Sequence, residues 1–174
     1  MFKLYIHKII QFSFLVIFIS PLNSSEPVLA TLNNVITNSI QQFSIGNYSF
    51  YCKAYGMISI EEITKHNASN SICTDTINKL YVKNKELQYY SNHILKLNQL
   101  YHIEIKGDKC IVYANGEKTL TEILLERGLG RMKVRFKDKE FKYLFTKAQK
   151  RAKVEQKGIW NENIKGKCLA ELEE

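Results

Sequence analysis

The stretch from Cys110 to Trp160 constrains the fold of this chain most, because its structural signals follow one another in a definite order. A strand-like run ends at Asn115-Gly116, and this dipeptide favours a tight turn because both residues tolerate positive φ. Thr119 follows as a helix N-cap, and Glu122 stands three residues later, where it completes a capping box. Gly128 ends that helix as a left-handed C′ glycine does. The pattern predicts a strand, a turn and a short helix.

The flanking segments predict the remaining elements. A second helix is predicted by one apolar face, made of Phe141, Leu144, Phe145, Ala148 and Ala152. Upstream, three runs predict a meander of strands at residues 29–36, 40–45 and 48–55, and another strand is predicted at 100–105. Apolar residues at helical spacing predict a helix over residues 87–97. Residues 61–82 are rich in Asn, Ser and Thr without a clear period, and are interpreted as a loop.

Three pieces of the stretch stand in an order typical of one family: Tyr113-Ala114-Asn115-Gly116, then Gly128-Leu129, then a Lys/Ala-rich helix from Ala148 that ends at Trp160. On these pieces the chain resembles the thermonuclease (staphylococcal nuclease-like) family. The resemblance implies an α+β fold, a five-stranded OB-type β-barrel with about three α-helices. It also implies the family's strand order around the barrel, 1-2-3-5-4.

The four cysteines stand after the leader-like N-terminus, and their even number suggests two disulfides if the chain is exported. Four free buried thiols are the alternative, and would suit a cytosolic protein. The family's strand order puts the third and fifth strands side by side, so the resemblance implies that Cys52 pairs with Cys110. Cys73 and Cys168 then remain as the second pair.

The first 25 residues are predicted to be a signal peptide. Lys3 and Lys8 precede an apolar run that is too short to span a bilayer comfortably, and Ser24-Ser25 suits cleavage. We therefore expect a secreted or periplasmic protein with no stable membrane span after cleavage; an uncleaved N-terminal anchor is the alternative. The predicted domain covers residues 26–165, and residues 166–174 are predicted to be a tail.

Family members that cleave nucleic acid hold calcium with two Asp carboxylates, activate or orient water with a Glu, and clamp the phosphate with two Arg side chains. Ser39 and Ile58 stand at the two Asp positions of these motifs, and neither replaces a carboxylate. Lys53 stands at one Arg position and keeps the charge without the bidentate geometry. Glu61 falls on the catalytic Glu. The calcium that the resemblance implies lacks its ligands, so we expect no cofactor; any remaining catalysis would use Glu61 and Lys53.

The family's second Arg belongs just before Cys110, where residues 106–109 are Lys-Gly-Asp-Lys. Lys106 or Lys109 would be a point charge for a phosphate, although lysines at a turn are more often simply solvated. The sequence has no glycine-rich phosphate loop and no nucleophile elbow, which argues against P-loop and serine-hydrolase chemistry.

A basic segment suggests binding rather than cleavage. Residues 131–157 hold eleven basic and three acidic side chains, within a chain of net charge +8. Arg131, Lys133, Arg135 and Lys137 alternate, so an extended segment would place them on one side, and Phe136 stands where the family carries a base-stacking Tyr. Aromatic rings among cations suit single-stranded nucleic acid, and OB barrels often bind it. A solvated lysine-rich helix face is the alternative.

Three functions fit these observations. The first is an exported, catalytically degenerate nuclease-fold protein that binds nucleic acid or another polyanion. The second is a divergent nuclease that depends on Glu61, and the third is a protein-interaction module of the cell envelope.

Overall fold

The computed structural model describes residues 26–169. The strands are β1 (Val28–Thr37), β2 (Ile40–Ile45), β3 (Tyr48–Ala54), β4 (Met57–Ser59), β5 (Leu100–Lys106), β6 (Lys109–Asn115), β7 (Lys118–Thr119) and β8 (Gly130–Met132). The helices are α1 (Ile60–His66), α2 (Ser71–Lys83), α3 (Lys85–Gln88), α4 (Tyr90–Ile94), α5 (Leu120–Glu126), α6 (Lys139–Val154) and α7 (Glu162–Cys168), with a 3₁₀ turn at Gly158–Trp160.

Five strands close into a barrel in the predicted order. β1 pairs with β2 and β5, β2 pairs with β3, and β5 pairs with β6, all antiparallel. A short parallel pairing of β3 with β6 closes the ring, with Lys53 opposite Lys109 and Ala54 opposite Cys110. These neighbours confirm the family strand order and the α+β OB-type fold. They also bring Cys52 to Cys110, whose Cα atoms are 5.4 Å apart in a disulfide, as the resemblance implied.

Alternating strand residues fill the barrel. Leu32, Phe43, Ile103 and Ile111 are fully buried from four different strands. Burying each such side chain contributes about 1.5–3 kcal/mol relative to leaving it exposed. This packing makes the barrel a rigid frame on which the outward-facing residues are held.

The structure corrects the interpretation of residues 61–82 as a loop, because most of them are helical. α1 begins at a capping box, and the side chain of Asn70 accepts a hydrogen bond from the N–H of Cys73 at the start of α2. Cys73 and Ile77, four residues apart, are buried and form the inner face of α2. The helix predicted over 87–97 is shorter and interrupted at Tyr89, which separates α3 from α4. The described residues therefore carry more helices than the three predicted.

A second apolar cluster joins α1, α2 and the C-terminal elements. It contains Ile63, Ile77 and Trp160, and the disulfide between Cys73 and Cys168 lies within it. Leu169 is also buried here, so the packed domain continues past the predicted boundary at residue 165. Residues 1–25, predicted to be the signal peptide, lie outside the described residues. Within residues 26–169, no helix combines the length and apolar character needed to cross a bilayer.

Gly128 ends α5 in the left-handed conformation that the sequence predicts, with φ +69°. Its carbonyl accepts a hydrogen bond from the N–H of Ile159 at 2.9 Å, and a Cβ at Gly128 would overlap the carbonyl oxygen of Lys157. Glycine is required here for both its φ and its lack of a side chain. This contact fastens the 3₁₀ turn to the end of α5.

Candidate functional site

Glu61 lies in the first turn of α1, directly after β4. The hydroxyl of Ser59 accepts a hydrogen bond from the N–H of Glu62 at 3.2 Å, and the Glu62 carboxylate accepts one from the N–H of Ser59 at 3.0 Å. This capping box fixes the start of the helix. Glu62 is thereby engaged in the cap and exposed, whereas Glu61 is partly buried and faces inward.

Glu61 lines a cavity of about 220 Å³. The hairpin between β1 and β2 contributes Thr37 and Asn38, α2 contributes Tyr81, and the junction of α3 and α4 contributes Tyr89. Among the described residues that line this cavity, Glu61 is the only one that is Asp, Glu, Lys, Arg or His. The structure therefore brings Glu61 and the hairpin together, as the family motifs require.

Burial controls the electrostatics of this cavity. Removal from water raises the pKa of Glu61, and the neighbouring N–H groups, Ser59 and Asn38 only partly offset this effect. Burial also raises the pKa of the Tyr81 hydroxyl, and the carboxylate of Glu61 adds to the shift. Within the described part of the chain, Oε2 of Glu61 and Oη of Tyr81 are buried without a hydrogen-bond partner. An electrostatic environment of this kind favours the neutral carboxyl.

The positions that hold calcium in the family carry no second carboxylate. Ser39 is buried, and its hydroxyl lies 3.4 Å from that of Thr37. Ile58 pairs with Arg131 between β4 and β8 and packs against the second apolar cluster. Hard divalent cations need several oxygen ligands with compensating charge, so these residues do not fit a calcium ion. Across residues 26–169, no three His, Cys, Asp or Glu side chains converge as a metal site.

Asn38, in the hairpin between β1 and β2, makes hydrogen bonds to α3 and α4. Its side-chain NH₂ donates to the carbonyl of Leu87 at 2.8 Å, and its side-chain oxygen accepts from the N–H of Ser91 at 2.9 Å. The hydroxyl of Ser91 donates to the Asn38 carbonyl at 2.7 Å. This buried network ties α3 and α4 onto the barrel, so a neutral amide now anchors the helices that cover Glu61.

Lys53 lies elsewhere, in a group that we call the lysine cluster: Lys53, Lys109 and Lys133. Lys53 and Lys109 stand opposite each other in the β3–β6 pairing, and Lys133 follows β8, where its N–H donates to the carbonyl of Gly56 at 3.0 Å. The ammonium of Lys109 beside it lowers the pKa of Lys133, and partial burial adds to this effect. Glu62 and Asp108 oppose the shift but do not reverse it. Crowded cations of this kind favour an anionic ligand.

The predicted one-sided basic segment is not formed. The chain leaves the strand conformation after Met132 and turns at Val134 and Arg135. Arg131 is buried, whereas Arg135 and Lys137 are exposed, so the alternating cations do not share one surface. The turn is the physical reason, because alternation places side chains on one side only in an extended segment.

Phe136 is part of the core. It is 8% exposed, stacks on Phe145 with ring centroids 5.5 Å apart, and meets Tyr55 edge to face at 5.2 Å. A ring covered in this way has no free face for a base, so Phe136 does not offer the stacking surface that the sequence suggested. Tyr81 was not identified from the sequence as a residue of the cavity. The signal that could have placed it on a helix is the four-residue spacing of Cys73, Ile77 and Tyr81.

The five-stranded barrel and the helices that follow β6 define the class of protein, an OB-type barrel that carries C-terminal helices. The family model described as "Staphylococcal nuclease homologue" matches residues 75–162, and the chain belongs to that family. The matched range begins within α2, so Ser39, Ile58 and Glu61 lie before it. Among curated proteins, none matches the chain.

Proposed function

We propose that this chain is an exported staphylococcal nuclease-fold protein that binds nucleic acid or another polyanion and has lost metal-dependent phosphodiester cleavage. The observation that carries the proposal is the lysine cluster. Lys53 stands at a phosphate-clamping position of the family, Lys109 lies opposite it in the β3–β6 pairing, and Lys133 lies beside Lys109. The ammonium groups come from β3, β6 and the loop after β8, and they supply charge for phosphate oxygens without the planar geometry of arginine.

Loss of cleavage is supported by the Glu61 cavity. Two metal-binding carboxylates and two arginines are replaced, and removing even one transition-state donor commonly lowers the rate by about 10²–10³. Export is supported by the two disulfides, which are typical of oxidising compartments.

Binding is tested with fluorescence anisotropy on a labelled single-stranded oligonucleotide over a salt series. Each single-strand phosphate contact contributes about 0.7 to the slope of log K against log salt. The double variant Lys53→Gln, Lys109→Gln should therefore bind more weakly and lose about 1.4 from that slope. A matched control, Lys83→Gln with Lys167→Gln, removes the same charge beside a shallow surface pocket of α2 and α7 and should change the slope little.

Two results would contradict the proposal. Equal slopes for the cluster variant and the control would show that the lysine cluster is not the anion site. Cleavage of DNA or RNA by the wild type with calcium, magnesium or manganese, abolished by Glu61→Ala, would instead establish an active nuclease.

A further inference from the structure

The outer face of β3 carries an exposed aromatic ring next to the lysine cluster. Cys52 and Ala54 point into the barrel and are buried, so the alternation of the strand turns Tyr51 and Lys53 outward. Tyr51 is 62% exposed, whereas the ring of Phe50 packs against Phe43 with centroids 6.4 Å apart. The Tyr51 ring therefore has free surface that core packing does not use.

Strand pairing places this ring in a continuous surface. Gln42 of β2 stands opposite Tyr51. Lys53 lies between two neighbouring strands, with Ile40 of β2 opposite it on one side and Lys109 of β6 opposite it on the other. Tyr51 and Lys53 are two residues apart, which corresponds to about 6.6 Å along a strand. The strand-paired residues Gln42 and Ile40 are uncharged, so this part of the surface presents a ring, an amide and an apolar side chain before the cations; Glu62 and Asp108 act on Lys133 but stand outside these strand pairings.

We propose that Tyr51 is the base-stacking platform of this protein and that single-stranded nucleic acid lies across the β2–β3 face with its phosphates on the lysine cluster. The inference rests on the proposed function and names the mode of recognition. The stacking role that the sequence suggested for Phe136, which is buried, is thereby assigned to Tyr51, whose ring is accessible.

Charge and geometry both favour a single strand as the occupant. The lysine cluster attracts phosphate, but a cationic surface alone would accept any polyanion. A stacking ring requires an unpaired base, because bases in a duplex are already stacked on their neighbours. Tyr51 beside Lys53 therefore predicts a preference for single-stranded over double-stranded nucleic acid and over a base-free polyanion such as heparin.

The test compares Tyr51→Ala with a matched control on the same strand. Tyr48 is 83% exposed at the start of β3 and lies at an odd-numbered distance from Tyr51, so it is out of phase with the Tyr51–Lys53 face. The probes are oligothymidylate of about 12 nucleotides, within the site sizes of OB barrels, and an abasic oligonucleotide of equal length and charge.

Stacking contributes about 1–3 kcal/mol per base, so Tyr51→Ala should weaken oligothymidylate binding by roughly 5- to 150-fold. Its salt slope should stay at the wild-type value, and its affinity for the abasic probe should not change. Tyr51→Phe, which keeps the ring, should bind like the wild type, and Tyr48→Ala should have little effect.

The outcomes separate this inference from the proposed function. Wild-type protein that binds neither probe at low salt would overturn both. Binding with a lysine-dependent salt slope, combined with equal affinities for Tyr51→Ala and the wild type, would overturn the stacking role alone. Equal losses for Tyr51→Ala and Tyr48→Ala would also overturn it, because the effect would not belong to the β2–β3 face.

Discussion

The disulfide between Cys73 and Cys168 gives the sharpest stability prediction. The two cysteines are 95 residues apart in sequence, and they join α2 to α7. In the chain-entropy model, a loop of this length stabilises the folded state by about 4.7 kcal/mol at 25 °C, because the unfolded chain cannot expand freely. The double variant Cys73→Ala, Cys168→Ala should therefore lose about 4–5 kcal/mol, a large part of the stability of an ordinary domain.

Urea unfolding followed by tryptophan fluorescence measures this loss. Trp160 is the single tryptophan of the chain, and it is buried in the same apolar cluster as the disulfide. The variant should unfold at lower urea, and its m-value should rise because its unfolded state is more expanded. A reductant removes both disulfides of the wild-type protein, so it should lower the stability further than the Cys73→Ala, Cys168→Ala variant does.

The barrel disulfide supplies the comparison. Cys52 and Cys110 are 58 residues apart, so the same model gives about 4.2 kcal/mol for Cys52→Ala with Cys110→Ala. Loop entropy thus predicts nearly equal losses of unfolding free energy when either disulfide is removed, although the two disulfides lie in different apolar clusters. A loss below about 1 kcal/mol for either pair, or an unchanged m-value in both variants, would refute the entropic reasoning.

Two further changes test the structure around the site. Burial raises the pKa of Glu61, so the folded state binds its proton more tightly than the unfolded state does, and wild-type stability should fall as pH rises from the unfolded value through the folded one. Glu61→Gln should remove that slope in thermal unfolding measured above the ordinary Glu pKa of about 4.3, and at the highest pH tested it should be the more stable protein; equal slopes would contradict the assignment. Gly128→Ala should cost about 3 kcal/mol or more, because its Cβ meets the backbone at Lys157 while φ stays positive. A loss under about 1 kcal/mol in urea unfolding would show that this contact relaxes easily.

Strand patterns and turn residues carried most of the fold prediction. The order of signals after Cys110 identified the family, and the family strand order then located the pairing of Cys52 with Cys110. The strands could be found because alternation and glycine turns are local properties. α1 and α2 were missed because their many Asn, Ser and Thr residues obscured two local signals, the Ser59–Glu62 capping box and the spacing of Cys73 and Ile77.

The site was less predictable, because exposure depends on distant parts of the chain. Phe136 among basic residues and Tyr51 before Lys53 look alike in sequence, yet Phe145 covers the first ring and nothing described covers most of the second. The approach of Lys109 to Lys133 likewise depends on the position of β8 beside β4. Such neighbours appear only once the barrel is closed.

The Glu61 cavity and the lysine cluster differ in their electrostatics, and burial explains the difference. A buried Glu61 beside a second carboxylate, with no cation between them, would experience like-charge repulsion in addition to desolvation. Ser39 and Ile58 bring no second carboxylate and so avoid this cost. Asn38, next to Ser39 in the β1–β2 hairpin, is uncharged and hydrogen-bonds to Leu87 of α3 and Ser91 of α4. The lysine cluster carries a smaller desolvation cost because Lys53 is exposed and Lys109 and Lys133 are only partly buried, although the ammonium of Lys109 still lowers the pKa of Lys133. If metal-dependent cleavage is lost as we propose, an uncharged lining of the Glu61 cavity is the more stable arrangement, and the cationic β3–β6 surface is still available to a ligand.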